Sequence, residues 1–172
     1  MTTPNAISRP LVACLASLGL AACSTVGTPG SASQARSRTL VVQQEPPSFV
    51  DIEVDAKGRR VGDLYVFGAR VTDSEGRKGS LIGTLLVVDI PDNKTGNLYE
   101  TRIGDLTFTL GSDQLLVKGA TVYPLKEKEM RVNQPQVRAI IGGTGQFVGQ
   151  DGEVTTVRNA NGTYTHTMRL TR

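Results

Sequence analysis

The residues with the clearest capacity for chemistry are Glu100 and Arg102, two positions apart in a predicted strand. Side chains two apart in a strand point to the same face, and this face also carries Leu106 and Phe108. If that face is interior, the pair could orient a ligand oxygen, with Glu100 as a catalytic acid and Arg102 as a ligand-binding residue. The pattern favours the alternative, an ion pair exposed at a bend of the strand.

His166 is the sole histidine of the chain, and it alternates with Tyr164, Met168 and Leu170. This alternation predicts that it lies on the apolar face of a strand, near a barrel mouth, where it is a candidate ligand-binding residue. A lone histidine in such a place is more often a hydrogen-bonded wall residue than a base. Without a second histidine or a cysteine in the mature domain, the sequence predicts no metal site, and it predicts no cofactor.

Three tyrosines, Tyr65, Tyr99 and Tyr123, supply hydroxyl groups that could reach a cavity, although packing is their default role. Tyr99 and Tyr123 are retained as candidate ligand-binding residues. Asp51 and Glu53 have the spacing of paired carboxylates, but they alternate with apolar residues, which favours a solvent-facing position. No nucleophile elbow or Ser–His–Asp order is present in the sequence.

The N-terminal segment indicates export and lipid attachment. Residues 1–22 carry one basic residue, Arg9, before an apolar run too short to span a bilayer. The run ends in Leu-Ala-Ala before Cys23 and resembles a bacterial lipobox, whose cysteine is lipidated; an ordinary secretory signal is the alternative. We expect a lipoprotein signal peptide over 1–22 and a flexible, lipid-anchored tether over 23–38. Ser24 fits outer-membrane sorting, so the predicted location is the bacterial cell envelope, facing the periplasm or the exterior.

The remaining residues, 39–172, are enough for one domain with a sizeable core. Both cysteines, Cys14 and Cys23, precede this domain, so it has no disulfide and no thiol nucleophile. Loss of Arg9 with the signal lowers the formal net charge from +3 to +2. The charges are interspersed and form no basic stripe, which excludes nucleic acid as an expected partner.

The hydrophobic pattern predicts an all-β domain of about eight strands with no confident helix. Residues 62–72 alternate clearly, residues 81–90 are apolar on both faces and predict a strand covered on both sides, and residues 127–135 predict a loop. Eight antiparallel strands close into a small barrel, whose interior holds side chains or one small ligand. Closure also removes exposed sheet edges.

A glycine-rich stretch, Gly142-Gly143-Thr144-Gly145 followed by Phe147, stands between two predicted strands. Glycines beside β-branched residues mark a bulge or bend, as barrel closure requires. A phosphate-binding loop is the alternative, but the stretch lacks the Lys-Ser/Thr ending and a following helix.

Several segments together resemble the allene oxide cyclase and dirigent superfamily, especially its secreted bacterial members. The Gly-Gly-Thr-Gly-x-Phe segment is the most specific of them, and the matching segments, in chain order, are residues 62–64, 83–88, 116–119, 140–147 and 152–154. The resemblance covers residues 39–172. It implies an eight-stranded antiparallel β-barrel of calycin-like shape with a hydrophobic central cavity.

The resemblance implies less about individual residues. The cavity cysteine of allene oxide cyclases aligns with Thr84, which is therefore a candidate ligand-binding residue. The Glu and Asn of their first strand have no counterpart in residues 40–44, so their catalytic residues are not preserved.

The combined expectation is a lipid-anchored envelope barrel that binds a small apolar ligand in its cavity, in a dirigent-like manner. The first alternative is a cyclase or isomerase that acts on an unsaturated lipid or polyketide by templating it in the cavity. The second is a structural envelope module without a ligand. Family members form trimers and dimers, so a homo-oligomer is left open.

Overall fold

A computed structural model of the chain describes residues 37–54, 61–89, 98–125 and 127–172. The predicted signal peptide, Cys23 and nearly all of the tether lie outside the described residues. The described part consists of nine strands and one 3-10 helix at Gly145–Phe147. The strands are β1 Arg38–Gln44, β2 Ser48–Ile52, β3 Leu64–Asp73, β4 Lys78–Asp89, β5 Tyr99–Leu110, β6 Asp113–Pro124, β7 Gln136–Gly143, β8 Asp151–Arg158 and β9 Tyr164–Thr171.

The strands form one antiparallel sheet in the order β1-β9-β8-β7-β6-β5-β4-β3-β2, and β3 also pairs with β1. This additional pairing closes eight strands into a barrel and leaves β2 as one extra strand. The prediction of an all-β, eight-stranded antiparallel barrel is therefore confirmed. Among the described residues, no helix is long and apolar enough to cross a membrane.

Two prolines, Pro46 and Pro47, divide the strand that closes the barrel. Proline has no N–H to donate to a sheet ladder and is confined to edges and bulges. Before the break Gln44 pairs with Val71, and after it Ser48 pairs with Gly68, a shift of one residue. Residues 42–44 of β1 pair with both β3 and β9, whereas β2, after the break, pairs with β3 alone.

The two ends of the barrel interior differ in chemistry. We call the end where β1 begins the closed end, and the end where β1 finishes the open end. Inward-facing side chains at the closed end form one apolar cluster that includes Leu40, Phe108, Leu115 and Met168, each fully buried. The regular alternation of buried and exposed positions along β5 and β9 produces this packing.

The glycine-rich stretch bends the chain at the closed end, as predicted. A register shift in the β6–β7 ladder lies beside Gly142, and the 3-10 helix that follows brings Phe147 into the core with no exposed surface. A side chain at Gly143 would place its Cβ 2.3 Å from the carbonyl oxygen of Gln114. Only three residues are helical here, and the stretch packs as a corner of the barrel.

The outer face of β4 differs from the expectation for residues 81–90. Leu81, Leu85 and Val87 point inward, but Ile82 is 61% exposed and Leu86 is 38% exposed. The strand is therefore apolar on both faces without being covered on both faces by the described part of the chain.

Candidate ligand-binding pocket

The open half of the barrel interior contains most of the buried polar side chains. Some of these side chains belong to strands that end at the open end, and the others belong to strands that begin there. They are Gln44, Glu100, Arg102, Thr121, Arg138, Thr156 and His166. Burial of so many polar groups is costly unless each finds a partner. Their partners therefore show which groups maintain the fold and which remain available to a ligand.

A pocket enters the barrel at this end. Its cavity volume is ≈ 30 Å³, with room for only a few water molecules. The cavity lies within a wider hollow of ≈ 350 Å³ that includes open solvent at the mouth. Its lining combines apolar and polar side chains: Gln44, Pro47, Phe49, Phe67, Leu85, Leu106, Tyr123, Lys128, Met130, Arg138, Thr156, Tyr164 and His166. A ligand larger than a few waters requires movement at the mouth, where Lys128 forms an ion pair of 2.7 Å with Asp51.

His166 is held in the pocket wall by hydrogen bonds at both ring nitrogens. Its Nε2 lies 2.9 Å from Oε1 of Gln44, and its Nδ1 lies 3.0 Å from Oγ1 of Thr156. Because a carbonyl oxygen can only accept, Nε2 donates to Gln44, and Nδ1 accepts from the Thr156 hydroxyl. Burial, with a smaller contribution from the positive charge of Arg138, lowers the pKa of His166 to about 3. The ring is therefore neutral at pH 7.

Arg138 extends from β7 across two inward-facing glycines. Its Nη2 donates to Oγ1 of Thr121 at 2.5 Å and to the hydroxyl of Tyr123 at 3.0 Å. A Cβ at Gly104 would lie 3.1 Å from Nε of Arg138, and a Cβ at Gly119 would lie 3.2 Å from its Cγ. Gly104 and Gly119 are opposite each other in the β5–β6 ladder, so the absence of two side chains provides the space for the guanidinium.

Glu100 and Arg102 are both fully buried, so the favoured sequence interpretation, an exposed pair, is wrong. Nε and Nη2 of Arg102 donate to Oε1 of Glu100 at 2.8 and 2.5 Å. The guanidinium also donates to the carbonyl of Lys128 at 3.2 Å, and it lies 4.2 and 4.3 Å from the ring centroids of Tyr65 and Tyr123. The pair lies behind Tyr123 and does not line the pocket. Its contacts are those of a structural ion pair, and they leave the carboxylate of Glu100 away from the ligand space.

The other sequence-predicted residues separate into two groups. Tyr123 and His166 line the pocket, and their ligand-binding roles stay predictions. Thr84 instead lies on the outer face of β4, in a shallow groove with Ile82, because it alternates with inward-facing neighbours. Tyr99 also points outward, and the guanidinium of Arg131 lies 4.9 Å from its ring centroid. The assignments of Thr84 and Tyr99 to the cavity are therefore corrected.

A third polar group, Glu129 with Arg158 and Tyr164, lies at the mouth. Arg158 forms an ion pair with Glu129, and the Tyr164 hydroxyl donates to the other carboxylate oxygen at 3.1 Å. Burial, together with the charge of Glu129, raises the pKa of Tyr164 well above its ordinary value, so this hydroxyl stays protonated. In the described ranges, no group of three or more His, Cys, Asp or Glu residues is placed to hold a metal ion.

Sequence reasoning missed Arg138, Gln44 and Thr156 as pocket residues. The available signal was the period-2 alternation of β7, in which Arg138 shares a face with the buried Ile140. A charged residue two positions before an apolar one is equally typical of the frayed end of a strand. The alternation alone therefore does not distinguish a pocket residue from a residue at a frayed strand end.

No family model matches the sequence, and no curated protein sequence matches it. Solved structures do match the fold. A pyocyanin demethylase is similar with a TM-score of 0.56 and 20% identity, over 78% of this chain and 99% of the demethylase.

Two further similar structures are described as a cyclase and as a Diels–Alderase. One is described as a nonspecific heme-binding cyclase that catalyses a [4 + 2] cycloaddition in neoabyssomicin biosynthesis, with a TM-score of 0.55 and 14% identity over 81% of this chain and 68% of that one. The other is the Diels–Alderase AbmU from Streptomyces koyangensis, with a TM-score of 0.51 and 13% identity over 82% and 70% of the two chains. At such identities the likeness concerns the fold, and the chain therefore shares its antiparallel barrel with these proteins.

Proposed function

We propose that this protein binds a small, largely apolar organic molecule in the pocket at the open end of its barrel. The observation that carries the proposal is the contrast between the two halves of the interior. The closed half is filled by Leu, Phe and Met side chains, whereas the open half leaves a pocket with apolar walls and a few converging polar groups. Apolar walls with a few converging polar groups are the lining chemistry of small-molecule sites.

A cyclase or isomerase is the second candidate function. One similar structure is described as a cyclase and another as a Diels–Alderase, and a pocket that holds a flexible substrate in a reactive shape needs few chemical groups. The pocket offers only neutral or cationic side chains, however, since His166 and Tyr164 hold their neutral forms and Glu100 is bound to Arg102. Ligand binding therefore has the stronger support, and catalysis would depend on shape.

The resemblance to allene oxide cyclase and dirigent-like barrels is likewise a proposal, supported by the shared barrel fold. We also propose that the protein is exported and anchored through a lipid on Cys23 in the cell envelope. The lipobox-like sequence that ends at Cys23 and the polar tether that follows it support this location.

The neutral dye N-phenyl-1-naphthylamine, whose fluorescence rises in apolar surroundings, tests the binding function. Leu85 lines the pocket, and its neighbour Leu86 points outward from the same strand. We expect the wild type to bind the dye, Leu85→Phe to weaken binding about tenfold by filling the pocket, and the matched control Leu86→Phe to leave it unchanged. Circular dichroism checks that both variants are folded. Dye binding that is absent in the wild type, or insensitive to Leu85→Phe, contradicts the proposal.

A further inference from the structure

Arg138 differs from the other buried arginine of the open half in having no acidic partner. Arg102 pairs with Glu100, and at the mouth Arg158 pairs with Glu129. Among the described residues, no carboxylate oxygen lies within 4.0 Å of a guanidinium nitrogen of Arg138. The residue is nevertheless only 4% exposed.

The hydrogen bonds of Arg138 do not compensate for its charge. Nη2 donates to two neutral hydroxyls, those of Thr121 and Tyr123, and Nε is buried with no hydrogen-bond partner. A buried cation without an anion is costly, since hydroxyl groups replace only part of the water it has lost. Within the described part of the chain, nothing repays that cost.

The surroundings of Arg138 are those of a binding group. The residue lines the pocket, and Gly104 and Gly119 leave the space that its side chain occupies. The pocket walls beside it are apolar, with Leu85, Leu106 and Phe67 among them. An anion that entered the pocket would therefore meet a preformed, poorly hydrated guanidinium, where its charge–charge interaction is stronger than in water.

We propose that the ligand of this pocket is an organic carboxylate, with its charged group on Arg138 and its apolar body against the pocket walls. This inference rests on the proposed function and specifies its ligand class. A guanidinium presents parallel N–H groups that match the two oxygens of a carboxylate, and Nε of Arg138 is a buried donor without a hydrogen-bond partner in the described part of the chain. The neutral side chains of His166 and Thr156 border the site, and neither carries a charge that competes with Arg138 for the carboxylate.

Calorimetric titration of the mature full-length protein at pH 7 tests the proposal with two matched pairs of probes. These are trans-cinnamate with trans-cinnamamide, and octanoate with octanamide, in which each amide keeps the shape and removes the charge. We expect the wild type to bind each carboxylate about tenfold or more tightly than its amide, because a charge-assisted hydrogen bond is lost in the amide. Arg138→Met should abolish this preference and leave amide affinity within about threefold of wild type.

Lys118→Met is the matched control, because it removes one positive charge from the outer face of β6, where Lys118 pairs with Asp105. It should keep the full preference for the carboxylates. A preference that survives in Arg138→Met, or disappears in Lys118→Met, overturns the assignment to Arg138.

The comparison of carboxylate and amide affinities in the wild type tests the proposal even if Arg138→Met does not fold. Equal affinity for carboxylate and amide, with dye binding still weakened by Leu85→Phe, overturns the carboxylate and leaves the binding function standing. Absence of binding by the dye and by all four probes overturns both.

Discussion

At the scale of single residues, the two buried arginines show how position determines the role of a side chain. Arg102 lies among Glu100, two carbonyl oxygens and two tyrosine rings, and these contacts satisfy its charge within the protein. Arg138 has hydroxyl partners only and faces the pocket. The first stabilises the barrel, and the second is available to a ligand.

His166 leads to a prediction about stability and pH. The folded protein holds its pKa at about 3, whereas an unfolded chain has an ordinary histidine pKa of about 6.5. As the pH falls below about 6.5, the unfolded chain binds a proton that the native protein does not bind, so the free energy of unfolding decreases. We expect a loss of about 2 kcal/mol between pH 7 and pH 5 from this group alone.

Urea denaturation at pH 7 and pH 5 measures this effect, with His166→Asn as the comparison. Because His166 is the sole histidine, the variant should lose about 2 kcal/mol less than the wild type over this interval. Parallel losses in the two proteins would show that His166 is not held neutral by the fold.

At the scale of elements, the glycine-rich corner connects β7 to β8 and places Phe147 in the closed end. Its tightest position against backbone atoms is Gly143, where a Cβ would lie 2.3 Å from the Gln114 carbonyl oxygen and 2.6 Å from Cβ of Phe147. These distances are well below van der Waals contact, so a side chain there has to displace the corner or Phe147.

We expect Gly143→Ala to reduce the free energy of unfolding by about 2–3 kcal/mol, through overpacking and the displacement of a fully buried ring. Gly68→Ala is the control, because the nearest atom to a Cβ there, the Leu81 carbonyl oxygen, lies 3.8 Å away. This control should be neutral or slightly stabilising, since alanine restricts the unfolded chain. Thermal unfolding compares the two variants, and equal effects would contradict the role given to the corner.

At the scale of the whole molecule, the two ends of the barrel differ. β1 begins at the closed end, and the pocket opens at the opposite end. The first described strand therefore enters the barrel at the end opposite the pocket mouth.

The proposed anchor predicts the outcome of cell fractionation. In a bacterial host that lipidates proteins, we expect the wild type in the membrane fraction and Cys23→Ala in the soluble fraction, because the variant lacks the thiol that accepts the lipid. Cys14→Ala is the matched control, since Cys14 lies within the apolar run, and it should remain with membranes. Membrane retention of Cys23→Ala would refute lipid attachment at this residue.

The sequence by itself determined the strands and the fold class, because the alternation of apolar and polar residues is a local property. It can be recognised in each segment without knowing which strands pair with it. It also marked the corner at Gly142 and Gly143, since glycines beside apolar strand residues often mark a bulge or bend. The irregular segment 127–135 was predicted for the same local reason and is irregular in the structure.

Only the tertiary structure decided which faces are interior and which polar groups have partners. The strand pattern allowed Glu100 and Arg102 either position, and barrel closure placed them inside. Thr84 was assigned to the cavity by resemblance, and the register of β4 placed it outside. The partners of Arg138 come from β6, and its space comes from glycines of β5 and β6. Such contacts depend on the register between strands distant in the sequence, which no local pattern contains.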